Sequence, residues 1–163
     1  MIARARGVAA TLAGLVLLSP LLVRPAEALP RYRLQAAPQL HLTQGLELWD
    51  LDRRVMPCTY CHVNEKGGAP WNPFGQAIQA TFAREAKEGR HLTFPQALHA
   101  LLQADTDADG DRYPDALEIY AKTLPGDPAS TPAQPLAELR AAFDRAGGAE
   151  QFAPPQKGRK TGQ

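Results

Sequence analysis

Cys58-Thr59-Tyr60-Cys61-His62 contains both cysteines of a 163-residue chain, two residues apart, with one of its four histidines directly behind them. Four chemistries use paired thiols, and the surroundings separate them. A thioredoxin-like exchange pair belongs to a βαβ unit and has no use for His62, and no such unit is legible here. A structural zinc site recruiting His41, His91 or His99 requires a second ligand pair at recognisable spacing, which is missing. A disulfide across two residues closes too small a loop to stabilise the chain much. The fourth reading uses the whole motif. C-x-x-C-H is the attachment sequence of a c-type haem: two thiols at this spacing reach vinyl groups on neighbouring pyrroles as thioethers, and the adjacent imidazole sits beneath the iron.

Such an iron usually has a sixth site. Once an N-terminal leader is set aside, Met56 is the only methionine, and two residues from Cys58 it is poorly placed to reach the opposite haem face. The remaining candidates are His41, His91 and His99, or an open position. A histidine in that place predicts a lower potential than a Met-ligated haem.

The leader is read from Arg4 and Arg6, the 16-residue apolar run Val8–Val23 and the small-x-small site Ala26-Glu27-Ala28. The run is shorter than the roughly 20 residues a spanning helix needs and contains Pro20, so cleavage after Ala28 is expected rather than an anchor. Removing residues 1–28 takes away Arg4, Arg6, Arg24 and Glu27 and leaves an acidic excess of one. The whole chain is equally balanced, 18 Lys+Arg against 17 Asp+Glu, which argues against nucleic acid as a partner. At 44% hydrophobic it is not compositionally disordered, and 15 prolines with 13 glycines predict short elements.

Outward from the motif the periodicity is helical. Residues 29–39, with Pro30 and Pro38, read as an irregular lead-in, and Leu42–Leu51 as a short helix. Asn72 caps and Pro73 opens a helix with Phe74, Ala77, Ile78, Thr81, Phe82 and Glu85 on one face, ended by Gly89. Thr93-Phe94-Pro95-Gln96 has the form of a capping box, ahead of a stripe of Phe94, Ala97, Leu98, Leu101 and Leu102. Pro114 opens a helix that should stop at Leu124-Pro125-Gly126. After a proline-rich connector, Leu136, Leu139, Phe143 and Ala146 mark a last helix closed by Gly147-Gly148. No stretch alternates with period two for long, so the expected class is all-α.

Between Asp105 and Glu118 lie six carboxylates whose mutual repulsion calls for a cation, and oxygen ligands at every second position suit calcium. Two registers compete. Starting at Asp105 places Gly110 at the sharp sixth position but Ala116 at the twelfth. Starting at Asp107 places Asp107, Asp109 and Asp111 at one, three and five, the Tyr113 carbonyl at seven, Asp115 at nine and Glu118 at twelve, with Arg112 where glycine is usual. The second keeps every ligand and is preferred. A solvated loop capping the next helix would explain Asp111 and Asp115 but not the regular spacing.

Together, Cys58–His62, Gly67-Gly68, Asn72-Pro73-Phe74-Gly75 and the run Asp107–Glu118 resemble small bacterial mono-haem cytochrome-c-like proteins carrying a thrombospondin type 3, EF-hand-like calcium repeat, over roughly residues 55–130. The resemblance implies covalent haem on Cys58 and Cys61, His62 as axial ligand, and calcium on Asp107, Asp109, Asp111, Asp115 and Glu118. Arg112 departs from the usual glycine. The expected organisation is a signal peptide (1–28), a mono-haem cytochrome-c-like region (29–104), an EF-hand-like segment (105–130), a C-terminal helix (131–150) and a disordered tail (151–163). The expected role is one-electron transfer rather than catalysis, in the periplasm or at the cell surface. Its partner would be a redox protein or a membrane respiratory complex, with no stable membrane insertion after cleavage. The alternatives are a haem-based sensor with an open sixth site, or a structural partner-binding domain.

Overall fold

Capping residues decide where the helices begin in the computed structural model, which describes residues 30–42 and 56–155. The leader expected over 1–28, the helix expected from Leu42 to Leu51 beyond its first residue, and residues 156–163 lie outside the described residues. The described helices are α1 (Pro30–Gln39), α2 (Pro73–Lys87), α3 (Phe94–Gln103), α4 (Asp115–Ala121) and α5 (Leu136–Arg145), with 3₁₀ turns at Cys58–Tyr60 and Gly148–Phe152. Among the described residues there is no strand, only an isolated antiparallel bridge between His62 and Trp71, so the class is all-α. None of the described helices is long and apolar enough to cross a membrane.

The capping signals of α2 and α3 act as their sequences require. Asn72 Oδ1 accepts the Gly75 N–H at 2.8 Å, and Pro73 follows at the first helical position, where its missing N–H costs nothing. At the other end Gly89 takes φ +75°, and the Arg90 N–H reaches back to the Glu85 carbonyl at 2.9 Å. In α3 the Thr93 N–H donates to Gln96 Oε1 at 2.8 Å, and the apolar stripe Phe94, Ala97, Leu98, Leu101 and Leu102 is buried.

Four expectations require correction. Residues 30–39 are helical, not irregular: Pro30 is at the helix start, and Pro38 lies exposed in the last turn. Their buried side chains, Ala36, Ala37 and Gln39, are too short or too polar to register as an apolar stripe. Gln39 Nε2 donates to the Pro95 and Phe152 carbonyls, at 2.8 and 3.0 Å, and Tyr32 stacks on Phe94 with centroids 4.5 Å apart. Next, α4 stops at Ala121, three residues before Leu124, because Lys122 turns left-handed (φ +67°) and its ammonium donates to the His41 carbonyl at 2.6 Å. Finally, Gln151 and Phe152 are not part of a disordered tail. The 3₁₀ turn after Gly147 buries Phe152 to 1% exposure against Phe143, whereas Leu136, expected on the buried face of α5, is 40% exposed.

One apolar cluster runs from Ala36 and Leu40 of α1 through Met56, Tyr60 and Cys61, the inner faces of α2 and α3, and Leu117 and Ile119 of α4, to Leu139, Phe143 and Phe152. The thiol turn and the acidic loop are therefore built on a shared core.

Candidate functional site

The Cys58–Tyr60 turn is closed by Cys61 and His62, whose N–H groups donate to the Cys58 carbonyl at 3.1 and 2.9 Å. Both thiols are free, Cys58 half-buried and Cys61 buried. Burial pushes the Cys61 thiol up to about 12, with Cys58 adding to the shift, which is opposite to the depressed value an exchange thiol needs. His62 is 5% exposed, and its Nδ1 lies 2.7 Å from the Gly68 carbonyl. That oxygen can only accept, so Nδ1 carries the proton and Nε2 keeps a lone pair. Burial lowers the His62 pKa, favouring the neutral ring that a metal requires. Trp71 packs on the imidazole with ring centroids 4.0 Å apart.

The start of α2 clamps this turn. Asn72 donates from Nδ2 to the Thr59 and Tyr60 carbonyls, at 2.9 and 3.2 Å, and from its N–H to the Cys61 carbonyl at 3.1 Å. Gly75 closes over the same place: a β-carbon there would stand 2.0 Å from the Cys61 carbonyl oxygen and 2.8 Å from the Trp71 ring. From the sequence Asn72 is legible only as a helix cap. Its second role leaves no periodic trace, although a glycine in the first turn of a helix is a signal of close backbone approach.

In the acidic loop, Asp107, Asp109 and Asp111 each offer a carboxylate oxygen, all lying within 4.8 Å of one another. Asp107 accepts the N–H groups of Gly110 and Arg112, at 2.7 and 2.9 Å, and Asp111 accepts that of Tyr113 at 2.7 Å. Gly110 (φ +82°) and Arg112 (φ +88°) are both left-handed, so the backbone turns sharply at the sixth position of either register. Asp105 is drawn off by Arg140, which grips it with two hydrogen bonds of 2.8 Å. Asp115 accepts from the Thr106 hydroxyl and the Ala108 N–H, both at 2.8 Å, and so braces the loop. The Tyr113 hydroxyl donates to the Gln134 carbonyl at 3.0 Å.

Glu118 is the unusual group. It is fully buried, and among the described residues neither of its carboxylate oxygens has a hydrogen-bond partner, nor do Asp109 Oδ2 and Asp111 Oδ2. Burial, followed by repulsion from Asp109, Asp111, Asp115 and Asp107, raises Glu118 to about 10; burial raises Asp115 to about 6 and also lifts Asp109. An orphaned buried carboxylate among like charges is costly, and a hard divalent cation relieves both the repulsion and the missing partners.

His41, exposed and left-handed, contacts the Phe152 ring, with centroids 5.6 Å apart; His91 is exposed; His99 Nε2 lies 3.8 Å from Glu150. Met56 is buried in the core, and Arg33 donates to its carbonyl. Comparisons of the chain with protein-family models, with curated proteins and with solved structures find no match.

Proposed function

We propose that the chain is an exported mono-haem c-type cytochrome that transfers one electron at a time and holds a structural calcium ion. A haem bonded to Cys58 and Cys61 supplies an iron that alternates between ferrous and ferric. The observation that carries this reading is the Nδ1 contact of His62 with the Gly68 carbonyl at 2.7 Å, which leaves Nε2 as the ligating nitrogen behind two free thiols. Asn72 and Gly75 hold the turn in place, so the imidazole direction is set by the protein. The buried, unpartnered Glu118 oxygens support calcium on Asp107, Asp109, Asp111 and Glu118, with the Tyr113 carbonyl at position seven and Asp115 at nine; the capture of Asp105 by Arg140 supports the register beginning at Asp107.

Protein matured in a host with haem-attachment machinery should give a pyridine haemochrome spectrum and an intact mass raised by one porphyrin. Colourless protein of unmodified mass would refute the reading. The second reading, a small-ligand-binding module with an open sixth position, is favoured by the contacts of His41 and His99, which run to Phe152 and Glu150. Carbon monoxide added to the reduced protein separates the two: an unchanged spectrum supports the six-coordinate carrier, an immediate shift the open site.

A further inference from the structure

The stretch after α4 joins the two sites. The Glu118 carbonyl accepts from the Thr123 N–H and hydroxyl, at 2.9 and 3.2 Å. Leu124 is held by Ser130 Oγ at 3.0 Å, and the Asp127 N–H closes the turn on the Leu124 carbonyl at 3.1 Å. The turn thus hangs from the backbone of the residue whose side chain is the orphaned carboxylate. At its tip Gly126 is seated against the Asn72 side chain, where a β-carbon would come within 2.7 Å of Cγ and Nδ2. Asn72 in turn is bonded to three consecutive carbonyls of the thiol turn, those of Thr59, Tyr60 and Cys61.

We infer that Asn72 is the positioning residue through which a cation in the acidic loop acts on the Cys58–His62 turn. This rests on reading the turn as a haem attachment site and the loop as a calcium site. Without a cation, Glu118 is buried beside the other loop carboxyls with no hydrogen-bond partner among the described residues. Ligation draws its carboxylate toward Asp107, Asp109 and Asp111, and the displacement passes through Thr123 and Gly126 to the Asn72 amide. Gly126 leaves no room for a β-carbon beside Asn72, and because packed interiors deform little, a shift of the turn toward Asn72 is passed to its side chain. Linkage makes the effect reciprocal: if calcium shifts the haem midpoint, the oxidation state shifts calcium affinity by the same factor.

The test is a potentiometric titration of the holoprotein, loaded with calcium and stripped by chelator, with calcium affinity measured by calorimetry in both oxidation states. About a fivefold or larger difference in affinity is expected, and a tenfold one corresponds to a midpoint shift of about 59 mV. Asn72→Ser keeps a capping oxygen for Gly75 but loses the reach to Thr59 and Tyr60. It should abolish the calcium-dependent shift while calcium still binds. An equal midpoint in both states of the wild type, or a shift that survives Asn72→Ser as direct electrostatics requires, overturns the inference.

Amide exchange supplies the arm that needs neither the variant nor the haem. Calcium should slow exchange at His62 and Asn72 about fivefold or more, and unchanged protection overturns the link. Haem-free protein with calcium-slowed amides would defeat the cytochrome reading and leave the Asn72 link standing.

Discussion

The thiol turn and the acidic loop stand a few side chains apart and differ in how far the protein alone completes them. In the turn, the carbonyls of Cys58, Thr59, Tyr60 and Cys61 all accept hydrogen bonds and the His62 Nδ1 proton has a partner, so its backbone is satisfied, and only the buried Tyr60 hydroxyl has no partner among the described residues. In the loop, oxygens of Asp109, Asp111 and Glu118 are buried without partners among the described residues. The turn's backbone is paired within the chain, whereas the loop leaves carboxylate oxygens that a cation would satisfy. A satisfied polar network fixes geometry, whereas a half-satisfied one opposes folding until its missing member is supplied. Losing the ligand should therefore cost function at the turn and stability at the loop.

The largest effect should come from Cys58→Ala combined with Cys61→Ala. Covalent haem falls to zero by intact mass, while calcium still raises the melting temperature. Loss of calcium stabilisation in that double variant would break the distinction from one side. Next, Glu118→Gln should weaken calcium binding about a hundredfold or more by calorimetry, because it removes the closing carboxylate. In chelator the same variant should melt no lower than wild type, since the amide is neutral at every pH, whereas the buried carboxyl, raised to about 10, must take up a proton to be so.

A smaller effect follows from protonation. Both Glu118 and Asp115 lie above their ordinary values of 4.5 and 3.8, so the folded metal-free chain holds protons that the unfolded chain releases. In chelator, stability is then greatest at low pH and falls as pH rises, through about 6 for Asp115 and on toward about 10 for Glu118. The melting temperature should drop by about 4 °C or more between pH 5 and pH 8 without metal. With calcium the trend should reverse, because ligation requires the ionised carboxylates. Smallest of all, Arg140→Ala releases exposed Asp105, should cost about 1 kcal/mol or less in thermal denaturation and should leave calcium affinity unchanged.

How much of this was legible in the sequence depended on whether local chemistry or distant packing set the conformation. The starts of α2 and α3 were readable because Asn72-Pro73 and Thr93–Gln96 satisfy backbone donors within three residues. The end of α4 was not, since Lys122 turns left-handed while its ammonium holds a carbonyl 81 residues away. Helix α1 escaped notice because alanine and glutamine form its buried side, and Phe152 because one aromatic residue beyond two glycines has no periodic company. At the candidate site, residue types and spacings named the thiols, His62 and the carboxylates. The dual engagement of Asn72 and the isolation of the Glu118 oxygens exist only once α2 and α4 meet the same core.

Gly75 turns a distance into a constraint on what the sequence tolerates. Its α-carbon faces the Cys61 carbonyl so closely that the smallest side chain would have its carbon 2.0 Å from that oxygen, a separation backbone atoms on both sides cannot relieve by rotating a bond. Alanine and tryptophan are therefore equally inadmissible at this position. A saturation library selected for folded protein would return a single letter there, while exposed Gln76 next door would accept most of the alphabet.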